Sequence, residues 1–335
     1  MKIQYCIPIL FVMVVNSYVL YAAPQWENKN RTNIIDEEIN LDQYLPFEAN
    51  SKIVKLNEEA TLKLDGGFPY LDGATALYPL YSAFANAVYP PLERYKNGFY
   101  QDENGEYTLP GYIMCSRTPK AYERLINGDV DIIFCTAPSD EQISAAREKG
   151  LTFSLTPIGL EAFVFFVNKN NPINGLSSSQ IRSIYSGKII NWHELGGNNG
   201  NIVAYQRPKN SGSQTILELI MGGEKIIEPI KENMIQDMGP IIQVVASYEN
   251  SMNAIGYSFL FYTTEMIRNN GIKLLTIDGI QPARETIKSG EYPFTQTFYA
   301  ITTGNETEEV KRFIEWIISG QGQYITRKTG YVEIR

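Results

Sequence analysis

Two short segments of this chain contain almost no polar residues, and they constrain the fold more than any other feature. Residues 130–135 (VDIIFC) and 162–168 (AFVFFVN) are near-continuous apolar runs, which is typical of strands that are covered on both faces. Segments with helical periodicity lie around these runs, as at 76–88 and 308–318. This repeated alternation of strand and helix predicts an α/β fold with mostly parallel sheets flanked by helices.

Residues 207–215 (RPKNSGSQT) have the clearest functional chemistry. They place a guanidinium, two hydroxyls and a glycine immediately before an apolar helical run. Ser211 or Ser213 would cap this helix, and Gly212 would let a ligand approach the backbone closely. The N–H groups of the first helical turn and the planar fork of Arg207 both suit a tetrahedral oxyanion. The segment therefore predicts an anion-binding site.

The composition limits the kind of protein to which this site belongs. The chain has 335 residues, of which 44% are hydrophobic and 20% are charged, and this length is sufficient for two lobes. The net charge of −8 and the pI near 5.0 exclude a broad basic surface for nucleic acid or anionic lipid. An acidic protein that binds an anion therefore needs a local positive site that faces inward.

The N-terminal segment predicts export. Residues 1–23 combine one lysine, an apolar run and small residues at the end, as in a secretory signal peptide. The alternative is an uncleaved membrane anchor, but Pro8, Asn16 and Ser17 interrupt the run, and it is short for a span. We therefore expect a cleaved signal and a periplasmic or cell-envelope location. Residues 24–61 are polar and predict an extended arm.

The residues that most enzymes need are scarce. His193 is the only histidine, which excludes a histidine-based metal cluster, and the sequence has neither a nucleophile elbow nor a Walker-type loop. Lys209 and Ser211 lie close together in sequence, but such a pair usually belongs to a solvated loop. We therefore expect no catalysis, no cofactor and no bound metal.

Two cysteines, Cys115 and Cys135, remain after the expected signal peptide. In an exported protein these two residues are able to form a disulfide. The alternative, which we expect, is a pair of buried cysteines that behave as small apolar residues at strand ends.

Three predicted helix starts carry hydroxyl groups directly after a strand. Besides residues 211–213, they are the segments 72–75 (DGAT) and 116–118 (SRT). Ligands of open parallel sheets bind beyond the carboxyl ends of the strands, where helix N-termini point. A hydroxyl at a single helix start ordinarily serves only as an N-cap. Three of them, one close to Arg207, predict a pocket that backbone dipoles make positive.

The most specific pattern is a set of sequence blocks in the second half of the chain. The blocks are residues 162–172, 176–188, 191–197, 207–213 and 254–257. With these blocks the chain resembles the periplasmic phosphate-binding proteins of bacterial ABC transporters, within the type II periplasmic-binding-protein superfamily. The resemblance extends from about residue 62 to the C-terminus.

The resemblance implies a two-lobed α/β fold, each lobe with a mostly parallel sheet, and with the ligand in the cleft. Residues 62–162 and 256–335 would form lobe I, and residues 163–255 would form lobe II. The implied function is that of an exported, monomeric solute-binding protein. It would capture an inorganic oxyanion, with phosphate as the first candidate, and deliver it to the permease of an ABC importer. The alternative is a protein of this fold that serves in interaction, adhesion or sensing, since its 22 tyrosines would suit a contact surface.

The resemblance also implies which residues hold the oxyanion through N–H groups, hydroxyls and one guanidinium. The hydroxyl at the start of the second helix would come from Thr118, or from Ser116 if the register shifts. The positions that match the family's contacts are Ala74, Thr75, Ala76, Ser116, Thr118, Arg207, Ser211, Gly212 and Ser213.

The chain departs from the family pattern at Thr136, which we include among the candidate contacts. Proteins of this family usually have a carboxylate there, and it accepts the proton of the ligand. Because a carboxylate repels an unprotonated anion such as sulfate, its loss weakens the prediction of strict phosphate selectivity. Asp72 and Glu161 are the candidates to replace it. Lys209 stands where a carboxylate commonly supports the arginine, so we expect extra positive charge beside the site.

Overall fold

The computed structural model describes residues 39–92, 99–101, 107–247 and 251–334. The predicted signal peptide (1–23) and the first part of the predicted arm lie outside these residues. The four ranges belong to one unit, Ile35–Arg335. Within them, no helix has the length and apolarity that a membrane span requires.

Strands and helices alternate along the described chain. The strands are β1 Leu71–Gly73, β2 Phe99–Gln101, β3 Tyr107–Pro110, β4 Ile132–Cys135, β5 Ser154–Asn168, β6 Gly175–Leu176, β7 Val203–Ala204, β8 Ala254–Phe259, β9 Ile272–Leu274, β10 Thr276–Ile277 and β11 Thr295–Thr302. The α-helices are α1 Tyr78–Val88, α2 Arg117–Asn127, α3 Asp140–Glu148, α4 Ser178–Tyr185, α5 Gly212–Met221, α6 Met238–Ala246, α7 Arg284–Lys288, α8 Glu308–Ile317 and α9 Gly320–Thr329. Shorter helical turns include the 3₁₀ turns Leu41–Tyr44 and Thr75–Leu77 and the π-helical turn Tyr262–Ile267.

The largest sheet among the described residues has the strand order β1-β4-β11-β5-β8-β7, and β9 also pairs with β5. The predicted α/β class is confirmed, but the strand directions are mixed rather than mostly parallel. β1 and β4 are parallel, as are β7 and β8, whereas β5 and β11 run antiparallel to their neighbours. An apolar run identifies a strand that is buried on both faces, and it contains no information about the strand's direction.

The long strand β5 changes its partner halfway along. It pairs with β11 as far as Ala162, and with β8 from Phe163 to Val167. We call the part that carries β1, β4, β11 and α1 to α3 the first lobe, and the part that carries β7, β8 and α4 to α6 the second lobe. The predicted boundaries, 62–162 with 256–335 and 163–255, stay predictions.

Helix α1 is buried on nearly every side. The Tyr81 ring stacks on Phe134 of β4 with 4.9 Å between centroids, and Phe84 meets Trp316 of α8 edge-on at 6.3 Å. Pro79 lies in the first turn, where its missing N–H removes no helical hydrogen bond. This packing fixes the N-terminus of α1 beside the end of β1.

The described part of the predicted arm packs against the first lobe. Tyr44 and Leu45 are buried. The Phe47 N–H donates to Asn86 Oδ1 of α1 at 2.8 Å, and Asn57 Nδ2 donates to the Tyr324 hydroxyl of α9 at 3.1 Å. From residue 39 onward the arm is therefore part of the folded structure.

Glu161 lies where β5 changes partner, and it is only 2% exposed. Its carboxylate oxygens accept hydrogen bonds from the backbone N–H groups of Ala162 at 2.9 Å and Phe261 at 3.3 Å. Burial raises the pKa of Glu161 to about 8, because the surroundings disfavour the ionised form. This side chain therefore connects β5 to the segment that follows β8.

We expect the substitution Glu161→Gln to remove part of the pH dependence of folding stability. The folded-state pKa lies above the unfolded value, so the unfolded chain releases its proton first and the free energy of unfolding falls as the pH rises. Through this glutamate, the free energy of unfolding falls between pH 4.5 and a pH of about 8. The slope is up to ~1.4 kcal/mol per pH unit. Urea unfolding of both proteins across this window measures the difference, and parallel curves would contradict the assignment.

Candidate anion-binding site

A cavity of about 750 Å³ opens between the first and second lobes, and we call it the cleft cavity. Its first-lobe wall contains the residues that follow β1 and β4 and those at the start of α2. Its second-lobe wall contains the start of α5. The cleft cavity brings together all ten residues predicted to hold the anion, although their contact with a ligand stays a prediction. They are Ala74, Thr75, Ala76, Ser116, Thr118, Thr136, Arg207, Ser211, Gly212 and Ser213.

The end of β1 leads directly into the cleft cavity. Gly73 packs so closely against β4 that a Cβ there would lie 2.5 Å from the Phe134 carbonyl oxygen. The Ala74 N–H donates to the same oxygen at 2.9 Å, so this donor is already used within the protein. The donors that this turn can offer to a ligand are therefore the N–H groups of Thr75 and Ala76 and the Thr75 hydroxyl.

Asp72 determines which hydroxyl at the start of α2 can face a ligand. Its carboxylate accepts hydrogen bonds from the Ser116 N–H at 2.7 Å and from the Ser116 hydroxyl at 2.5 Å, and it pairs with Arg124 at 2.9 Å. Because Ser116 donates its proton to Asp72, Thr118 supplies the hydroxyl that remains for the cavity. Of the two alternatives that the sequence leaves open, the geometry favours Thr118.

Neither of the two candidates to replace the missing carboxylate at Thr136 lines the cleft cavity. Asp72 is fully buried and paired with Arg124. Glu161 accepts hydrogen bonds from backbone N–H groups near the change of partner in β5. Both carboxylates have structural partners instead, so neither is placed to accept a proton from the ligand.

The second lobe holds Arg207 through both its backbone and its side chain. The Arg207 N–H donates to the Tyr257 hydroxyl at 2.9 Å and to Gln214 Oε1 at 3.1 Å, and Nη2 donates to the Gln236 carbonyl at 2.7 Å. Burial lowers the pKa of Arg207, but a guanidinium stays protonated in proteins. The protein therefore presents a fixed positive charge to the cavity.

The start of α5 contributes two hydroxyls with different roles. Ser211 precedes the helix and accepts a hydrogen bond from the Gln214 N–H at 3.4 Å. It is therefore the cap, which resolves the choice that the sequence leaves between Ser211 and Ser213. The Ser213 hydroxyl is buried in the first helical turn and is available to a ligand.

Three buried polar atoms in the cleft cavity have no hydrogen-bond partner among the described residues: Thr136 Oγ1, Arg207 Nε and Ser213 Oγ. Their residues are 2%, 8% and 2% exposed, respectively. An unsatisfied buried polar group costs about 1–3 kcal/mol, so proteins rarely collect several in one place without a use for them. Their presence in one cavity indicates a site for a ligand rich in hydrogen-bond acceptors.

Gly212 brings the second lobe into close contact with the first. A Cβ on this residue would lie 3.0 Å from Thr118 Oγ1 and 3.1 Å from Thr136 Oγ1. Both distances are shorter than ordinary carbon–oxygen contacts, so glycine lets the first turn of α5 approach these hydroxyls. The donors of the two lobes are thereby placed around one position.

Lys209 does not add charge to the cleft cavity, so that prediction is wrong. Its ammonium group pairs with Glu141 of α3 at the surface, where Asn210 Nδ2 also donates to Glu141 at 2.6 Å. A carboxylate of the first lobe therefore balances the lysine charge. These contacts join the lobes outside the cavity.

Arg117, Asp237 and Tyr262 are among the further residues with polar groups that line the cleft cavity. Arg117 Nη1 and Asp237 Oδ1 form an ion pair of 2.8 Å between the first and second lobes. Tyr262 begins the π-helical turn, a conformation that is frequent at functional sites. Arg117 lies within a segment selected for its hydroxyls, whereas no local pattern identifies Asp237 or Tyr262.

Cys115 and Cys135 are buried thiols that are not joined by a disulfide. The expected alternative, two apolar-like cysteines, is therefore confirmed. Burial raises the pKa of Cys115 to about 12, so its thiol stays protonated and unreactive at physiological pH.

Two α/β lobes with hydrogen-bond donors directed into the cleft between them define a two-lobed ligand-binding protein. Residues 72–321 match the family described as PBP superfamily domain, and the chain belongs to this superfamily. The predicted family and the predicted two-lobed fold are confirmed.

Two relatives are both named phosphate-binding protein PstS. The protein from Bacillus subtilis (strain 168) is 24% identical over 289 residues, which cover 86% of this chain and 86% of the relative. The protein from Borreliella burgdorferi is 26% identical over 217 residues, which cover 63% of this chain and 76% of the relative. The predicted resemblance to phosphate-binding proteins of ABC transporters is therefore confirmed.

Solved structures have the same fold. One is from Clostridium perfringens, was assigned as a phosphate ABC transporter substrate-binding protein and contains bound phosphate. It superimposes with a TM-score of 0.60 at 24% identity, covering 79% of this chain and 98% of that chain. An ABC-type phosphate transport receptor from Vibrio cholerae gives a TM-score of 0.56 at 17% identity, covering 78% and 98%. At these identities the likeness establishes the fold alone.

We expect the substitution Gly212→Ala to weaken oxyanion binding by about tenfold or more, because its Cβ would press against the hydroxyls of Thr118 and Thr136. The matched control is Gly66→Ala, since no atom lies within 4 Å of a Cβ at that position. Isothermal titration calorimetry of the two variants measures the effect. Wild-type affinity in Gly212→Ala would show that the close approach of the lobes is not required for binding.

Proposed function

We propose that this protein captures an inorganic oxyanion, phosphate, in the cleft cavity and supplies it to an ABC importer. The observation that carries the proposal is the group of three unpaired donors on Thr136, Arg207 and Ser213. The names of the relatives, which are phosphate-binding proteins, support phosphate as the anion. A ligand-free interaction or adhesion role would leave these donors without a purpose, so we favour capture.

The mechanism follows from the cost of removing a charged ligand from water. An oxyanion enters an enclosed cavity without a large penalty only if hydrogen bonds satisfy nearly all of its oxygens. In the proposed complex, the first lobe donates from Thr75, Ala76, Thr118 and Thr136. The second lobe donates from the α5 N-terminus and Arg207, whose guanidinium adds a charge-assisted hydrogen bond. Closure of the lobes then replaces the water around the anion with these donors.

The remaining roles are proposals that rest on the sequence and on the names of the relatives. The protein acts as a monomer outside the cytoplasm, after export directed by residues 1–23, and its closed form docks on the permease of the importer. It performs no catalysis. This proposal is supported by the relatives, which are named as binding proteins.

The direct test is calorimetry on protein from which bound ligand has been stripped. Phosphate, sulfate, molybdate and a phosphonate are titrated in turn, at protein concentrations that detect micromolar binding. We expect phosphate to release or absorb heat with a stoichiometry of one. If none of these anions gives a signal, the transport proposal is wrong and the interaction or sensing alternative takes its place.

We expect the substitution Arg207→Ala to weaken phosphate binding by roughly 1.5–3 kcal/mol, the usual loss for a hydrogen bond to a charged group. The matched control is Arg147→Ala, which removes an exposed arginine of α3 outside the cleft cavity. Calorimetry gives the affinities, and thermal unfolding checks that both variants are folded. An unchanged affinity in Arg207→Ala would place the ligand elsewhere.

A further inference from the structure

Asp237 is a carboxylate of the second lobe that faces the cleft cavity rather than its own helix. It immediately precedes α6, where an aspartate ordinarily accepts a hydrogen bond from the first-turn N–H groups. Its side chain makes no such bond. Instead, Oδ1 lies 2.8 Å from Arg117 Nη1 of the first lobe, and the side chain is 27% exposed. The carboxylate is therefore directed across the cleft.

The backbone next to Asp237 is attached to the arginine of the proposed anion site. Arg207 Nη2 donates to the carbonyl of the preceding residue, Gln236, at 2.7 Å. The Asp237 charge also interacts electrostatically with Arg207. The carboxylate is thus held near two guanidinium groups, those of Arg117 and Arg207. Its second oxygen, Oδ2, accepts no hydrogen bond from the described residues.

Apart from Asp237, the lining that surrounds the predicted anion site offers mainly donors. The side chains of Thr75, Thr118, Thr136 and Ser213 present hydroxyls, and Arg207 presents N–H groups. The other carboxylate in the described lining is that of Asp42, which belongs to an exposed position of the arm. Asp237 is therefore the acceptor that the second lobe brings to the anion site.

An acceptor of this kind distinguishes anions by their protons. Hydrogen phosphate has one P–OH group, which donates a hydrogen bond to a carboxylate. Sulfate is fully ionised near neutral pH and has no proton to donate. Each of its oxygens would therefore be repelled by that carboxylate. A group that is acceptor-only therefore favours the protonated oxyanion and disfavours the unprotonated one.

We infer that Asp237 is the specificity-determining residue of the cleft cavity, where its free carboxylate oxygen accepts the proton of hydrogen phosphate and excludes sulfate. The inference rests on the proposed function, because it concerns the ligand of the same site. Because the Asp237 carboxylate belongs to the second lobe, hydrogen phosphate and sulfate are distinguished as the lobes close. Its ion pair of 2.8 Å with Arg117 shows that the carboxylate lies beside the first-lobe wall of the cleft.

A different role for the same residues would be a purely mechanical one. If the ion pair of Arg117 and Asp237 only holds the lobes together, loss of either partner should lower the affinity for every anion by the same factor. If Asp237 contacts the ligand's proton, its loss should change the ratio of the affinities. The ratio therefore separates the two roles, whereas the affinity for phosphate alone does not.

The test is calorimetry with inorganic phosphate and inorganic sulfate, at a pH where hydrogen phosphate predominates. Asp237→Asn keeps the shape of the side chain but adds a donor. Arg117→Gln removes the ion pair and leaves the carboxylate in place. Asp129→Asn is the matched control, because Asp129 is exposed and lies outside the cleft cavity. Asp237→Ser, which removes the carboxylate with a smaller side chain, provides a second variant if Asp237→Asn does not fold.

We expect wild-type protein to bind phosphate at least about tenfold more tightly than sulfate, and Asp237→Asn to lower this ratio by about tenfold. Arg117→Gln and Asp129→Asn should keep the wild-type ratio. An unchanged ratio in Asp237→Asn and Asp237→Ser, or a wild-type protein that binds both anions equally, would overturn the inference. Absence of binding to either anion by the wild type would instead overturn the proposed function.

Discussion

The structure depends on the continuity of one long strand. β5 has 15 residues and is shared by both groups of strands, since it pairs with β11 up to Ala162 and with β8 from Phe163. Its hydrogen bonds on each side fix the position of one lobe relative to a common backbone. Any rearrangement of the lobes must therefore be absorbed near this change of partner. At that point the buried Glu161 accepts hydrogen bonds from the N–H groups of Ala162 and Phe261, and so links β5 to the segment that follows β8.

The cleft cavity combines side chains that protein hydrogen bonds hold in place with hydroxyl groups that have no hydrogen-bond partner among the described residues. Arg207 and Ser116 are held by protein hydrogen bonds, which keep the arginine and the start of α2 in position. Thr136 and Ser213 have hydroxyls that no described residue satisfies. A protein that leaves buried donors unpaired loses some stability, and a ligand that satisfies them returns that free energy as affinity. The cavity is therefore organised in advance for a ligand with several acceptor oxygens.

Apolar runs predicted the α/β class, and helix starts together with the family resemblance predicted ten of the residues that line the cavity. The strand directions and the charge that Lys209 adds beside the site were predicted wrongly, because both depend on residues that are distant in sequence. Glu141, which balances Lys209, lies 68 positions away, and no short-range pattern joins the two. Asp237 and Tyr262 were missed for the same reason. Helix-start chemistry identified the segments that contain Thr75 and Thr118, and the family resemblance assigned the individual contacts within them.

The 3₁₀ turn Leu41–Tyr44 has a consequence for where the folded protein begins. Ile39, Asn40, Leu41 and Asp42 form part of the wall of the cleft cavity, although they precede both predicted lobes. A shortened chain that starts at residue 62 would lose this wall, together with the buried side chains of Tyr44 and Leu45. The cleft of the shortened chain would therefore differ in shape from that of the full chain. Binding measurements on such a fragment would therefore describe a cleft that lacks one of the walls of the complete protein.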